Sequence, residues 1–107
     1  MSRYRKGDVI LARIRISERG MAKIRPAVVI ATVGEDLLLY PISPTPSWDQ
    51  PSIPLSLNDF IEGGLDILDD SHILTGQAVK ISMLEVIGKK GRLSGPAMEI
   101  LPTLTGP

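Results

Sequence analysis

The sequence predicts a mainly β protein, a small and strongly curved antiparallel barrel with short helices, one of them at the C-terminal end. Two observations support this prediction. Short apolar runs follow one another along the chain, several with alternating polar positions, and turns rich in glycine or proline separate them. The length of 107 residues suits a single domain that spans residues 1–107.

Two strands are predicted near the N-terminus. From Asp8 to Ile16 the residues alternate between two faces, which is typical of a half-buried strand. The alternation directs Arg13 and Arg15 to one face, toward solvent or a ligand. After a loop, the β-branched run from Ala27 to Val33 predicts a buried strand.

Prolines mark the next segments. A third strand is predicted from Leu37 to Ser43, where Pro41 indicates an edge position or a bulge. Four prolines from Pro44 to Pro54 predict an extended loop. Ile53 to Leu57 can then form a short fourth strand.

The C-terminal half is punctuated by glycines. Asn58-Asp59 can cap one helical turn that the Gly63-Gly64 pair ends. Ser71 to Ser82 alternates, which predicts one further strand with its isoleucines on a single face. Gly88 and Gly91 predict a short connection. Ser94 is the predicted N-cap of a terminal helix.

Composition excludes several function classes. The chain has no cysteine, so disulfides, thiol nucleophiles and thiolate metal sites are excluded. His72 is the only histidine, which also excludes histidine pairs and multi-histidine metal sites. No apolar run approaches the ~18 residues of a membrane-spanning helix, and no signal peptide is evident. We therefore expect a cytoplasmic protein with no membrane partner.

The net charge of zero hides a strong segregation of charge. Residues 1–25 hold eight basic and two acidic groups, for a net charge of +6. Residues 35–70 hold eight acidic groups and no lysine or arginine. Such asymmetry is typical of a basic face that binds an anion, but it also fits opposite charges that neutralise each other in the fold.

Six segments of the chain carry a family resemblance. They read KGDVILARI from Lys6, KIRPAVVI from Lys23, LYPIS from Leu39, NDFIEGGL from Asn58, TGQAVKIS from Thr75 and IGKKGRLS from Ile87. In this order, with Gly-Asp opening one strand and Arg-Pro opening the next, they resemble the MazF/PemK family of toxin endoribonucleases from Lys6 to about Leu101.

The resemblance implies an SH3-like barrel, usually a homodimer. It implies an mRNA interferase of a type II toxin–antitoxin system, which cleaves single-stranded RNA with some sequence preference and uses neither a metal nor another cofactor. It also implies a cognate antitoxin whose tail covers the RNA groove.

Two residues match family positions that serve RNA cleavage. Arg25, in the Arg-Pro pair, matches the catalytic arginine; a guanidinium suits this role because its fork donates to two phosphoryl oxygens and stays charged. Ser43 matches a position where the family has threonine or serine, and its hydroxyl can hydrogen-bond a phosphate oxygen or the attacking 2′-hydroxyl. The structural alternatives are an arginine paired with the acidic segment and an ordinary Ser-Pro turn.

The sequence departs from the family just before Gln77. Some members carry an arginine and an aspartate there, where this chain has Leu74 and Gly76. His72 can replace the missing base, because histidine is the side chain whose ordinary pKa lies nearest neutrality; otherwise it is a solvated strand residue. Gln77 itself can read a base edge or sit in the barrel.

Further residues are candidates for RNA binding. Basic side chains can contact phosphates and so position RNA without reading its sequence; the candidates are Arg13, Arg15, Arg19, Lys23 and Lys80. Trp48 can stack on an unpaired base or pack against the barrel end. For the basic residues, the alternative is a solvated surface position.

Two other functions stay open at this point. One is a MazF-like barrel that has lost catalysis and binds nucleic acid or protein, which Leu74 and Gly76 favour. The other is a gyrase poison like the CcdB toxins, which share the fold class but lack the Arg-Pro strand opening.

Overall fold

The structure, a computed structural model, describes residues 4–15, 21–44, 51–63, 71–76 and 78–101. Its strands are β1 (Asp8–Ile14), β2 (Lys23–Val33), β3 (Asp36–Ser43), β4 (Ser52–Leu55), β5 (Phe60–Gly63), β6 (Ser71–Leu74), β7 (Val79–Ser82) and β8 (Val86–Leu93). One helix, α1 (Gly95–Ile100), and two short 3-10 turns accompany them. The described chain is therefore mainly β, as predicted.

The strands form one curled antiparallel sheet. Their order is β4-β6-β3-β2-β1-β8-β5, and β7 pairs with β3 beside β6. The two ends of this path, β4 and β5, are joined in the chain by residues 56–59 alone. The sheet therefore curls back toward itself, which agrees with the coarse prediction of a small β barrel.

The central strands are buried on both faces. One cluster of buried side chains includes Val9, Val28, Tyr40, Ile42 and Ile73 and packs against Ala97 and Leu101 at the C-terminal helix. A second cluster on the other face includes Ile10, Ala12, Ala27, Val29, Leu37 and Leu39. Because successive strand residues face opposite sides, the apolar residues of β2 from Ala27 to Ile30 alternate between the two clusters, while Val33 at the end of the strand is exposed.

The first three predicted strands are confirmed, with three differences. β1, predicted to continue to Ile16, ends at Ile14, so that Arg15 lies outside it. β2 begins at Lys23, four residues earlier than the β-branched run, because Lys23 pairs with Ile14 on β1. β3 is neither an edge strand nor bulged at Pro41. Pro41 lies where β3 passes from pairing with β7 to pairing with β6, so its missing N–H interrupts neither of those ladders.

The single strand predicted from Ser71 to Ser82 is wrong. A turn at Thr75-Gly76 divides it into β6 and β7, which pair with different halves of β3. Ile73 consequently lies in the first core cluster and Ile81 in the second. The turn resets the alternation, so the isoleucines do not share a face.

Two further predictions about the C-terminal half are wrong. The helical turn is Leu57–Asp59, begun by Ser56 in a capping box, and the residues after it form β5. The predicted connection at Gly88 and Gly91 is the long strand β8, which pairs with β1 and β5. Local glycine signals fail here because pairing with β1 and β5 outweighs them.

The predicted cap of the terminal helix is confirmed. The Ser94 hydroxyl accepts a hydrogen bond from the backbone N–H of Ala97 at 3.2 Å. Among the described residues, no helix is long and apolar enough to span a membrane.

A charge cluster around the buried carboxylate of Asp8 joins three strands at the start of β1. We call it the Asp8 cluster: Asp8, Glu62, Lys89 and Arg92. The Arg92 guanidinium donates to Oδ1 of Asp8 at 2.8 Å, and the backbone N–H of Arg5 donates to Oδ2 at 3.0 Å. Gly7 precedes it with φ of +100°, a conformation that favours glycine. The Gly-Asp pair is thus explained by folding.

Candidate functional site

Three residues from separate parts of the chain are aligned across the sheet. The ladder between β2 and β3 pairs Ala27 with Pro41, and the same register continued by two residues aligns Arg25 with Ser43. The ladder between β3 and β6 pairs Ser43 with His72. We call Arg25, Ser43 and His72 the Arg25 row.

The members of the Arg25 row share one face of the sheet. Arg25 is opposite Ala12 on β1, whose side chain belongs to the second core cluster. Ser43 is four residues after Leu39, which also belongs to that cluster, so alternation places it on the same side. On β2 and β3 the second core cluster ends at Ala27 and Leu39, and polar side chains follow on that face, whereas on β1 it continues to Ile14.

Arg25 combines burial with an unsatisfied donor. The residue is half-buried, and its Nε is a buried nitrogen without a hydrogen-bond partner among the described residues. Buried donors in native proteins are normally paired with protein, water or ligand atoms. The unused N–H therefore points to an acceptor that the described residues do not supply.

Ser43 and His72 are both half-buried, Ser43 as the last residue of β3 and His72 as the second residue of β6. His72 is flanked by Ser43 on β3 and by Pro54 on β4. Neither neighbour carries a charge, so Arg25 is the charged member of the row. A guanidinium, a hydroxyl and an imidazole in line offer donors for an anion and a group that can exchange a proton.

The structure divides the other candidate RNA contacts between two faces. Lys23 is exposed and lies two residues before Arg25, hence on the same face of β2. Arg13 pairs with Ile24, so it lies on the opposite face. Arg15 is exposed just beyond the end of β1, two residues after Arg13. In the predicted alternation the two arginines therefore belong to the same side. The two arginines are exposed as predicted, but they do not join the Arg25 row.

Lys80 is also separate from the row. It pairs with Leu38, whose side chain faces the first core cluster, whereas the row lies on the side of the second. Its Nζ is 3.6 Å from Oδ2 of Asp36, with both side chains more than a third exposed. This environment matches the alternative that the sequence left open for Lys80, a solvated surface position.

Three candidates, Arg19, Trp48 and Gln77, lie outside the described residues.

Leu74 and Gly76, the two positions that depart from the family resemblance, both lie within the described residues. Leu74 is buried, and Gly76 is exposed in the turn after β6. Neither position provides a titratable group, so His72 is the titratable side chain of β6.

The basic N-terminal segment is not neutralised by the described acidic groups. The carboxylates of Asp8, Asp36 and Glu62 pair with Lys80, Lys89 and Arg92, which come from the C-terminal third. This arrangement leaves the positive charge of Arg13, Lys23 and Arg25 outside those ion pairs. In the part of the chain that the structure describes, no three histidine, aspartate or glutamate side chains come together in a metal-binding group.

Sequence reasoning missed the alignment of the row and the partners of Asp8. Each depends on register between strands that are distant in the chain, and no local pattern encodes it.

Comparison of the chain with protein-family models and with curated proteins finds no match.

Proposed function

We propose that this chain is a metal-independent endoribonuclease that cleaves single-stranded RNA, and that it acts as the toxin of a type II toxin–antitoxin system. The observation that supports it best is Arg25, a half-buried arginine whose Nε lacks an acceptor among the described residues and which is aligned with Ser43 and His72. The proposal includes an SH3-like barrel, a cytoplasmic homodimer and a cognate antitoxin, which the resemblance to the MazF/PemK family implies.

The chemistry of the row fits cleavage by the 2′-hydroxyl of RNA. In that reaction the neighbouring 2′-oxygen attacks phosphorus, and negative charge grows on the phosphoryl oxygens. Donors aimed at those oxygens stabilise the transition state more than the ground state. Arg25 supplies a charge-assisted fork for this role, and the Ser43 hydroxyl can hold the 2′-oxygen or a phosphate oxygen.

The direct test is incubation of the purified protein with RNA of mixed sequence in the presence of EDTA. We expect discrete cleavage products from the wild-type protein and none from Arg25→Ala. Lys6→Gln is the matched control, because it removes one exposed charge at the other end of β1. Absence of cleavage with either EDTA or added divalent cations would contradict the proposal.

A second candidate function is a barrel that binds nucleic acid without cleaving it. Leu74 and Gly76 favour it, because one is buried and neither supplies the base or the charged group found in some family members. Binding would then weaken as salt rises, since counterions are released from the phosphates, while the RNA stays intact. Salt-dependent RNA binding without products would select this candidate.

A further inference from the structure

His72 lies at the outer side of the Arg25 row, with uncharged residues at its paired positions. Ser43 lies opposite it on β3 and Pro54 on β4, and its neighbours on β6 are Ser71 and Ile73. The charged group of the row, Arg25, is two strand spacings away, roughly 10 Å between backbones. A backbone separation of this size can accommodate one phosphodiester between an arginine and a histidine side chain on the same face of the sheet.

We infer that His72 makes RNA binding and RNA cleavage respond to pH in opposite directions. The inference rests on the proposed function of the row. It depends on the placement of the His72 imidazole and the Arg25 guanidinium on either side of Ser43. In this arrangement His72 is the base that accepts the proton of the attacking 2′-hydroxyl.

The reaction step is a transesterification within the RNA. The 2′-hydroxyl loses its proton to the neutral imidazole of His72, and the 2′-oxygen forms a bond to phosphorus. The bond from phosphorus to the 5′-oxygen breaks, and its electron pair stays on that oxygen, which takes a proton from solvent water. His72 later returns its proton to solvent. The products are a 2′,3′-cyclic phosphate and a 5′-hydroxyl, with no net change in oxidation state.

The two pH effects have opposite signs. When the imidazole of His72 takes up a proton it becomes cationic, and a second positive charge joins Arg25 beside the phosphate. Binding of RNA therefore strengthens. The same protonation removes the base, so the cleavage rate of the bound RNA falls by about tenfold for each pH unit on the acidic side.

The experiment uses a short RNA that spans a cleavage site found in the mixed RNA, and the same oligonucleotide with 2′-deoxyribose at that site. Single-turnover cleavage of the first and the Kd for the second are measured across the pH range in which histidine titrates. For the wild-type protein we expect the rate to rise and the affinity to fall as pH increases.

His72→Gln tests the assignment, and Lys6→Gln is its control. We expect His72→Gln to cleave slowly with a flat pH profile and to bind with an affinity that no longer varies over this range. Lys6→Gln should keep both wild-type profiles. Circular dichroism of each variant checks that it is folded.

Two results would overturn the inference, and they differ from failure of the proposed function. If His72→Gln keeps the wild-type pH profile of cleavage, another group takes the proton. If wild-type affinity does not vary with pH while cleavage does, His72 is not beside the bound phosphate. If the wild-type protein cleaves no RNA at any pH, the proposed function itself fails.

Discussion

Two arginines of this sheet lie in contrasting environments. Arg92 donates to the buried carboxylate of Asp8 at 2.8 Å, within the Asp8 cluster. Arg25 is half-buried on β2, and its Nε lacks a partner among the described residues. A guanidinium that already has a buried carboxylate partner holds strands together. A guanidinium with an unused buried donor still has the capacity for one more acceptor, which the proposed function assigns to the RNA phosphate.

The two environments lie toward opposite ends of β1. Asp8 begins the strand, whereas Ala12, which pairs with Arg25, is four residues further on. This separation is roughly 13 Å along an extended strand. Substitutions at one end should therefore act almost independently of those at the other, with stability changed at the Asp8 cluster and RNA cleavage changed at the Arg25 row.

The largest expected effect is on stability, from Asp8→Ala. The change removes the buried carboxylate that accepts hydrogen bonds from the Arg92 guanidinium and the backbone N–H of Arg5, and each hydrogen bond to a charged group contributes about 1.5–3 kcal/mol. Urea unfolding followed by circular dichroism measures the free energy of unfolding. Asp8→Asn, which keeps acceptor and shape, should lose less. Wild-type stability for Asp8→Ala would show that the cluster does not hold the strands.

The next effect is on catalysis, from Arg25→Ala. We expect the single-turnover rate to fall by ~10²–10³, or about 2.7–4 kcal/mol, because a donor to the transition state is lost. Binding of the uncleavable 2′-deoxy analogue and the free energy of unfolding should change far less. Arg25→Lys should restore little activity, since an ammonium lacks the planar fork. Normal cleavage at saturation with weak binding would make Arg25 only an anchor.

Gly63→Ala tests the backbone beside the Asp8 cluster. Gly63 has φ of +65°, and a Cβ there would overlap the carbonyl oxygen of Lys90 on β8. We expect a loss of about 1–3 kcal/mol in the free energy of unfolding. Gly34→Ala is the matched control: it has φ of +61° but nothing near its Cβ. Equal losses in the two variants would assign the whole cost to backbone conformation.

The smallest effect concerns alkaline pH. The hydrogen bond to Glu62 raises the pKa of Lys89 above its ordinary value of 10.5, with a smaller opposing effect of burial. A raised pKa in the folded state stabilises the fold below 10.5, and this stabilisation is lost as pH rises through the folded-state pKa. We therefore compare the free energy of unfolding at a pH below 10.5 with that at a pH above the folded-state pKa. It should fall less between these two pH values in Lys89→Gln than in the wild type.

Tyr40 acts in the same pH range, which is why the variant is compared with the wild type. Burial raises the pKa of Tyr40, so the unfolded chain ionises first and stability again falls as pH rises. This contribution is common to wild type and Lys89→Gln, and it cancels in their difference. An identical pH dependence of the two proteins would mean that the hydrogen bond to Glu62 is not maintained in solution.

The sequence by itself determined the features that depend on neighbouring residues. Alternation identified β1 and its exposed Arg13, the β-branched run identified the core of β2, and Ser94 was identified as a helix cap. Each rests on side-chain direction or on a bond within one turn, so a short window contains the necessary information.

Only the tertiary structure decided what depends on pairing between distant strands. The division of residues 71–82 into β6 and β7, the strand at Gly88 and Gly91, and the alignment of Arg25 with Ser43 and His72 all follow from registers across the sheet. A shift of one residue in any register would move every side chain of that strand to the other face. Local patterns cannot choose among such registers, because the stabilising contacts come from strands far away in the chain.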